Sequence, residues 1–456
     1  GYRARGAAFP GISFAVLLGR GLDFAWSATS AGSDIVDQYV ETLCGAGETS
    51  YVYRGECRAM TTVDAGTIVG RPGEPDRQVS YRETVHGPVT GYATVDGRKV
   101  AIAEKRSTRG RELASLGVFL ELSQNRVRSA REFVVAASRM ELTFNWLYAD
   151  DRDIAQFTSG RLPVRPATVD PGLPTKGTGQ YEWRGFLPNR RHAQEIKRSG
   201  VMVNWNNKPS QGWINGDTEW MYGSAQRTEM LERQLDKRPK HDLASVTGAM
   251  NAGATQDSRT VDMVPTLAAV LKGSPAPSAR AQAMLDQLEA WRAAGGSRLD
   301  VDLDGKIDHP GAAVLDGAWD KLADAAMGRV LGPQLEQFAS IENRFDLPPS
   351  GQFGGWHHYM DKDLRTLLGQ PVQGAYRTRF CGSGDLAICR ADLWAAMDAA
   401  GAEIAAAQGN DVAAWRSDAN RERIDFVPGL LPTTIRYTNR PSGIQQVISF
   451  KGHRPR

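Results

Sequence analysis

The hydrophobic pattern changes twice along the chain, and this change constrains the fold more than any other feature. Residues 1 to about 110 alternate as strands do, and "YATVDGRKVAIAEKR" places Asp96-Gly97 between alternating segments, which predicts a hairpin. Helical spacing predominates from residue 228 to 410, and strand patterns return in "TTIRYTNRPSGIQQVISF". Strands at both ends with helices between them predict an α+β protein.

We therefore predict three segments. Residues 1–227 form the first part of a sheet core with active-site loops, residues 228–410 form a mainly helical region, and residues 411–456 form strands that return to the core. The stretch 160–220 is rich in Pro, Gly and Trp and has no long periodic run. Such a composition is typical of ordered loops, which often carry function.

The overall charge argues against two classes of protein. The 456 residues include 55 basic and 52 acidic side chains, for a net charge of +3, and no basic run has interleaved aromatic residues. This balance gives no support for a nucleic-acid partner. No segment approaches the roughly 18 uninterrupted apolar residues of a membrane span, so we expect none.

The four cysteines form two local pairs. Cys44 and Cys57 enclose "CGAGETSYVYRGEC", and Cys381 and Cys389 enclose "CGSGDLAIC". Short polar, Gly-rich loops with a cysteine at each end predict two disulfides and an oxidising compartment. Four reduced, buried thiols are the alternative. A zinc site is less favoured, because neither pair has CxxC spacing and no histidine lies close in sequence.

The histidines suggest neither a catalytic triad nor a metal pair. His86 in "VHGP" has no accompanying GxSxG elbow, so it is interpreted as structural. His357 and His358 in "WHHYMDKD" are interpreted as neighbours on a strand. Adjacent strand residues point to opposite faces, so these two would not share a metal.

The stretch "VNWNNKP" (203–209) crowds three asparagines around Trp205, just before a proline. A rigidly held asparagine can donate its amide to an oxygen that becomes negative in a transition state, which lowers a barrier by about 3–4 kcal/mol. The alternative is an Asx-turn, in which asparagine side chains bond their own backbone. The stretch by itself favours the turn.

A series of motifs in chain order changes this interpretation. The motifs are "FAWSATSAGSDIVDQYVETL", "TVHGPV", "LTFNWLYAD", "VDPGLPTKGTGQYEWRGFLP", "VNWNNKP", "YGSAQRTEMLERQL" and the C-terminal "LPTTIRYTNRPSGIQQVISF". Together they resemble the β subunit of the penicillin amidase (penicillin acylase) family, over most of the chain. The resemblance implies an N-terminal-nucleophile hydrolase with a four-layer αββα sandwich, here truncated, and a helical excursion.

The resemblance also implies a mode of action. Members of the family are exported precursors, periplasmic or extracellular, that cut themselves into α and β chains and remain heterodimers. An N-terminal serine attacks the carbonyl of a small acyl-amide substrate, with its own α-amine as base. Asn206 matches the side-chain donor to the oxyanion, Ser30 matches a backbone N–H donor, and Arg227 matches an arginine near the nucleophile. The alternatives are a surface residue at a helix start for Arg227 and a strand-end hydroxyl for Ser30.

Apolar residues match the family's acyl-binding pocket. They are Leu18, Ala28 and Phe144. Their character suits an apolar acyl group, and simple core packing is the alternative. The size of the acyl group cannot be inferred from these residues.

Two acidic stretches suggest structural calcium. By resemblance, Asp34 and Asp37 in "SDIVDQY" and Asp217 in "INGDTEW" match carboxylate ligands, and Val36 and Pro171 match carbonyl ligands. Mixed hard oxygen donors suit calcium. Solvated aspartates in a loop are the alternative.

The second stretch, "DVDLDGKID", stands out without any resemblance. Four aspartates occupy positions 1, 3, 5 and 9 of a calcium loop: Asp300, Asp302, Asp304 and Asp308. Gly305 occupies the turn position, but Gly311 stands where a bidentate glutamate is usual. We expect weak metal binding here, with a polar Asx-rich turn as the alternative.

The nucleophile is the main departure from the family pattern. The chain begins with Gly1, which has no side chain that could attack a carbonyl. We therefore expect a piece of a longer precursor that is inactive by itself. Two hypotheses remain: an amidohydrolase represented without its nucleophile, and a secreted, calcium-stabilised binding protein that cuts no bond.

Overall fold

The computed structural model describes most of the chain: residues 2–8, 15–216, 222, 225–342, 356–419, 423–425, 434–436 and 446–454. The chain forms two compact units, Gly1–Tyr222 with Phe450–Arg456, and Gly223–Ser449. Most described strands belong to the first unit and most helices to the second. The α+β prediction is confirmed, whereas the three predicted segments (1–227, 228–410 and 411–456) stay a prediction.

Two six-stranded sheets and one two-stranded sheet build the first unit. Its strands are β1 Arg5–Ala7, β2 Leu18–Arg20, β3 Phe24–Ser30, β4 Val36–Thr42, β5 Ser50–Tyr53, β6 Glu56–Ala59, β7 Thr61–Ile68, β8 Arg77–Thr84, β9 Gly87–Val95, β10 Arg98–Arg106, β11 Phe144–Asp150, β12 Ile154–Thr158, β13 Thr175–Lys176 and β14 Gln194–Lys197. One sheet has the order β1-β2-β3-β11-β12-β14 and the other β13-β4-β10-β9-β8-β7. Only β13 and β4 pair in parallel among these described neighbours.

Alternation along the strands of the first sheet separates an apolar face from a polar one. Phe24, Trp26 and Ala28 of β3 share one hydrophobic cluster with Trp146 and Tyr148 of β11. Helices α1 (Leu116–Ser123) and α2 (Ala130–Ala137) contribute to the same cluster. The intervening β3 and β11 side chains therefore point to the other face, because successive side chains alternate.

The apolar spacing of Phe133, Val134 and Ala137 predicts a helix over 126–140, and the helix in the structure is shorter. Ser129 caps α2, and its side chain accepts a hydrogen bond from the Glu132 N–H at 3.2 Å. A serine that caps the first turn starts a helix rather than continuing one, because its backbone is extended. The helix is therefore confirmed in place but not in length.

The predicted hairpin and both predicted disulfides are confirmed. Asp96 and Gly97 both have positive φ, +50° and +72°, and join β9 to β10 with Val95 opposite Arg98. This backbone matches a tight hairpin turn. Cys44 is bonded to Cys57, and Cys381 to Cys389.

The second unit is mainly helical. Its helices are α3 Ala225–Leu235, α4 Leu243–Thr255, α5 Val264–Leu271, α6 Ala279–Ala293, α7 Pro310–Leu331, α8 Gln334–Glu342, α9 Trp356–Leu367 and α10 Leu386–Gln408, and its strands are β15 Arg423–Asp425 and β16 Thr434–Arg436. A large apolar cluster from α5, α6, α7, α9 and α10 forms its core. None of the described helices is both long and apolar enough to cross a bilayer.

One secondary-structure prediction is wrong. "WHHYMDKD" lies in helix α9 rather than in a strand. Met360 and Leu364 are both fully buried in the core, and their spacing of four residues places them on one helical face. His357 and His358 therefore belong to a helix and do not alternate across a strand. Their side chains lie outside the described part of the structure.

Candidate active site

The asparagine-rich loop contains the turn that its composition suggested. The Asn204 Oδ1 accepts a hydrogen bond from the Asn206 N–H, and the Asn207 Oδ1 accepts one from the Trp205 N–H, both at 3.0 Å. Asn206 has φ +62°, a left-handed conformation that asparagine adopts more readily than most residues. Asn204 and Asn207 therefore serve the turn.

The Asn206 side chain has a different partner. Its Nδ2 donates to the Ser30 carbonyl oxygen at 2.9 Å, across 176 residues of sequence. Ser30 is the last residue of β3 and is exposed. The structure thus brings two of the three predicted catalytic residues together, and their roles stay predictions.

The three predicted pocket residues border the apolar cluster of the first sheet. Phe144 lies directly opposite Ser30 in the register between β11 and β3. Ala28 is buried in the cluster, and Leu18 on β2 packs against it partly buried. Core packing is therefore real for all three, and Phe144 also lies next to the strand end that Asn206 contacts.

Sequence reasoning missed a row of polar side chains on the opposite face. Thr29, Asn145 and Thr158 face one another across β3, β11 and β12. The Thr158 hydroxyl donates to the Asn145 Oδ1 at 2.9 Å, and the Thr29 hydroxyl donates to the Asn204 Oδ1 at 2.5 Å. The alternation in "FAWSATS" and "LTFNWLYAD" indicated two polar positions, but only the strand register brings them together.

Arg227 lies in the second unit. It is on helix α3, and the residue is only 2% exposed. A surface position at a helix start, the alternative to a catalytic role, is therefore wrong for this residue. Its predicted neighbourhood with the nucleophile stays a prediction.

The Asp34 and Asp37 carboxylates meet an arginine. The Arg165 guanidinium lies 2.7 Å from the Asp34 Oδ1 and 2.6 Å from the Asp37 Oδ1, and the Trp183 Nε1–H donates to the Asp37 Oδ2 at 2.6 Å. Asp37 therefore faces donors at both oxygens, and Arg165 supplies the countercharge. A calcium ion at this pair would compete with Arg165 for the same carboxylate oxygens.

Described contacts bring the segment just before Asp217 next to Asp34, whose N–H donates to the Ile214 carbonyl at 3.1 Å. Val36 starts β4 and lies opposite Arg106. Pro171 lies in a turn where the Asp170 carboxylate accepts from the Gly172 N–H. Asp217 lies outside the described residues. A calcium site at Asp34 and Asp37 stays a prediction.

The loop 300–308 has the donor chemistry of a cation site. Ligand oxygens of Asp300, Asp302 and Asp304 all lie within 4.8 Å of one another. Gly305 has φ +91°, and the fully buried Ile307 donates its N–H to the Ser417 carbonyl at 2.9 Å. The Asp308 carboxylate instead accepts from the Val301 N–H at 3.1 Å. Three convergent carboxylates without the twelfth-position ligand suit a weak calcium site.

His86 belongs to a buried charge cluster. Its ring is stacked on Tyr39, its Nδ1 lies 2.7 Å from the Glu41 Oε1, and its Nε2 lies 2.7 Å from the Glu182 Oε1. Burial lowers the pKa of His86, but hydrogen bonds to Glu182 and Glu41 outweigh burial and raise the pKa above 6.5. An imidazolium with a carboxylate at each nitrogen is a structural ion pair, which agrees with the structural interpretation.

The chain is similar to known proteins over most of its length. A family model for penicillin amidase matches residues 1–443. Penicillin G acylase from Escherichia coli is 29% identical over 313 residues, which is 68% of this chain and 35% of that protein, so the chain spans about a third of that relative. The structure of a thermostable penicillin G acylase from Alcaligenes faecalis superposes with a TM-score of 0.76 at 25% identity, covering 96% of this chain and 81% of that one. The chain belongs to the penicillin amidase family.

Proposed function

We propose that the protein hydrolyses a linear amide of the penicillin or acyl-amide type to a carboxylic acid and an amine. The observation that carries the proposal is the contact of the Asn206 side-chain amide with the end of β3 at Ser30. The contact places the Asn206 amide beside the backbone of Ser30, whose N–H is the second donor in this proposal. Such a pair, fixed before the reaction, can stabilise an oxyanion.

In the proposed reaction, the Oγ of an N-terminal serine attacks the amide carbonyl carbon, and its proton passes to the α-amine of the same residue. The carbonyl electron pair moves to oxygen, where the Asn206 Nδ2 and the Ser30 N–H donate to it. Collapse breaks the C–N bond, the leaving amine takes the proton, and an acyl-serine ester remains. Water, deprotonated by the same α-amine, then attacks the ester carbonyl. Collapse breaks the bond between the carbonyl carbon and the serine Oγ, which takes the proton back from the α-amine, and the carboxylic acid is released.

Parts outside these 456 residues complete the proposed enzyme. The proposed nucleophile is an N-terminal serine, and an α chain from the same precursor is the proposed partner. The proposed complete fold is a four-layer αββα sandwich. The two disulfides support export to a periplasmic or extracellular location.

The proposed substrate has an apolar acyl group. Ala28 and Phe144 support this, because both lie on the apolar face of the strands whose ends carry the oxyanion donors. We also propose structural calcium at the loop 300–308, where the aspartate oxygens converge. Calcium there would supply charge neutralisation for the loop and no chemistry at the reacting amide.

The experiment uses the full-length precursor with its export signal. We expect it to cleave itself, as followed by mass spectrometry, and to hydrolyse members of a chromogenic acyl-amide panel. Asn206→Ala should mature but lose about 10²–10³-fold in kcat, the usual cost of one oxyanion donor. Asn189→Ala, an exposed asparagine of the same unit, is the control and should retain wild-type activity.

A precursor that never splits and hydrolyses no amide would overturn the proposal. The secreted, calcium-stabilised binding protein would then be the better description. A precursor that matures and whose Asn206→Ala variant keeps full kcat would leave the reaction in place and remove the role assigned to Asn206.

A further inference from the structure

We propose that Asn204 is a positioning residue for Asn206, and that Thr29 and Asn145 hold Asn204 in turn. The inference rests on the proposed function, in which the Asn206 amide donates to the developing oxyanion. Asn204 itself touches no reacting atom. It acts by fixing the backbone from which the Asn206 side chain projects.

The Asn204 Oδ1 is the point where the contacts meet. It accepts from the Thr29 hydroxyl at 2.5 Å, from the Asn206 N–H at 3.0 Å and from the Asn145 Nδ2 at 3.5 Å. Thr29 belongs to β3 and Asn145 to β11, so two sheet strands and the loop share one oxygen. Loop geometry is thereby tied to the sheet rather than to the loop alone.

The polar row of Thr29, Asn145 and Thr158 reduces the free energy available from apolar burial in the sheet, and holding Asn204 gives a reason for it. Asn145 and Thr158 are both fully buried, in the middle of a sheet whose other face is apolar. Buried polar groups destabilise a fold unless they are hydrogen-bonded, and apolar β-branched residues would pack well at such positions. Within the row, the Thr158 hydroxyl donates to the Asn145 Oδ1. The Asn145 Nδ2 donates outside the row, to the Asn204 Oδ1 of the loop.

The backbone of Asn206 shows what Asn204 has to hold. Its φ of +62° is unfavourable for a residue with a Cβ, although least so for asparagine. The bond from the Asn206 N–H to the Asn204 Oδ1 stabilises that conformation, and the Asn206 Nδ2 reaches Ser30 from it. Without the acceptor, Asn206 can relax to negative φ, which moves its side chain away from the end of β3.

The test compares three variants of the full-length precursor with wild type. Asn204→Ala and Thr29→Val each remove one partner of the central contact, and Thr29→Ser restores the hydroxyl. We expect Asn204→Ala to lower kcat by about 10²-fold with KM changed less than about threefold, because a misplacement near 1 Å costs that much. Thr29→Val should lower kcat in the same way, and Thr29→Ser should recover most of it.

A double variant separates positioning from general stability. If Asn204 acts through Asn206, then Asn204→Ala combined with Asn206→Ala should be no slower than Asn206→Ala alone, because residues that act as a unit are not additive. Thr84→Val is the matched control. It removes the buried hydroxyl that accepts from the His86 N–H in the other sheet, and it should lower thermal stability without changing kcat.

Multiplied losses in the double variant, or an unchanged kcat in Asn204→Ala, would overturn the inference. A second readout does not depend on activity. The Asn206 N–H should exchange slowly with solvent in wild type and at least about tenfold faster in Asn204→Ala, since its acceptor is lost. If the wild type hydrolyses no amide, the proposed function fails, and this exchange rate alone decides whether Asn204 holds the loop. Equal exchange in both proteins would overturn the positioning role.

Discussion

At the scale of single residues, the three asparagines of one loop have different tasks. Asn204 and Asn207 bond the backbone of their own loop, whereas Asn206 reaches the end of a strand 176 residues away. The two interpretations of "VNWNNKP", a turn and a site, are therefore compatible. Composition indicates that asparagine is needed here, but it does not indicate which asparagine takes which part.

A prediction at this scale concerns His86 and pH. The pKa of His86 is raised, so its contribution to stability is complete below about 6.5 and is lost as pH rises through the folded-state value. Burial raises the pKa of Glu182, but hydrogen bonds from His86 and Lys105 outweigh it and lower the pKa to about 2. The Glu182 contribution to stability is therefore complete above about pH 4.3 and is lost as pH falls towards the folded-state pKa of about 2.

Thermal denaturation against pH checks this. This cluster should stabilise the first unit most between about pH 4.3 and 6.5, and the melting temperature should decline on the alkaline side. His86→Gln should cost about 3–5 kcal/mol near pH 6, because it removes the described countercharge of the buried Glu41 carboxylate. The difference from wild type should shrink as pH rises. A difference that grows with pH would contradict the imidazolium.

At the scale of secondary-structure elements, the sequence predicted those features that are formed by residues close together in the chain. The hairpin at Asp96-Gly97 and the two short disulfide loops are of this kind. Helix α9 was not predicted, because its signal is the four-residue spacing of Met360 and Leu364 and not the pair of adjacent histidines. The row from Thr29 to Thr158 could not be predicted, because a single sequence does not specify which residues of two strands lie opposite each other.

The candidate site shows the same division. The resemblance located Asn206 and Ser30 correctly as neighbours, which their separation in sequence could not have done. It did not indicate Arg165, whose guanidinium compensates Asp34 and Asp37. A charge partner from a long loop leaves no periodic signal, so only the folded chain identifies it.

A prediction for the loop 300–308 follows from its three convergent aspartates. Ten millimolar calcium should stabilise the protein by about 1.4 kcal/mol if the dissociation constant is near 1 mM, as the missing twelfth-position ligand suggests. Asp302→Asn should abolish the calcium-dependent shift in melting temperature, whereas Asp320→Asn on the exposed face of α7 should keep it. An equal shift in both variants would assign the effect to another site.

At the scale of the whole molecule, the described end of the chain returns to the first unit. Phe450–Arg456 belongs to that unit although 227 residues, Gly223–Ser449, form the other. The His453 Nδ1 lies 2.6 Å from the Asp151 Oδ1, its Nε2 lies 2.9 Å from the Arg128 carbonyl, and the Arg454 N–H donates to the Asp23 Oδ2 at 3.1 Å. Polar contacts therefore join segments more than 300 residues apart.

We expect His453→Gln to loosen this return without unfolding the unit. Hydrogen exchange of the peptide covering 446–454 should become faster by about tenfold, since the variant loses a charge-assisted bond to Asp151. Exchange in β3 and β11 should stay as in wild type. His241→Gln, on the second unit, serves as the control, and a change spread over the whole first unit would contradict a local role.

The separation of the two faces of β3 and β11 has a consequence for directed evolution. Positions 28 and 144 face the apolar cluster, whereas positions 29 and 145 face the polar row. If the proposed function holds, a mutational library confined to positions 28 and 144 should change the acyl preference and leave the polar row that holds Asn204 unchanged. An insertion of one residue in either strand would move its apolar side chains to the polar face and its polar side chains to the apolar face. The length of each strand is therefore a stricter requirement than its composition.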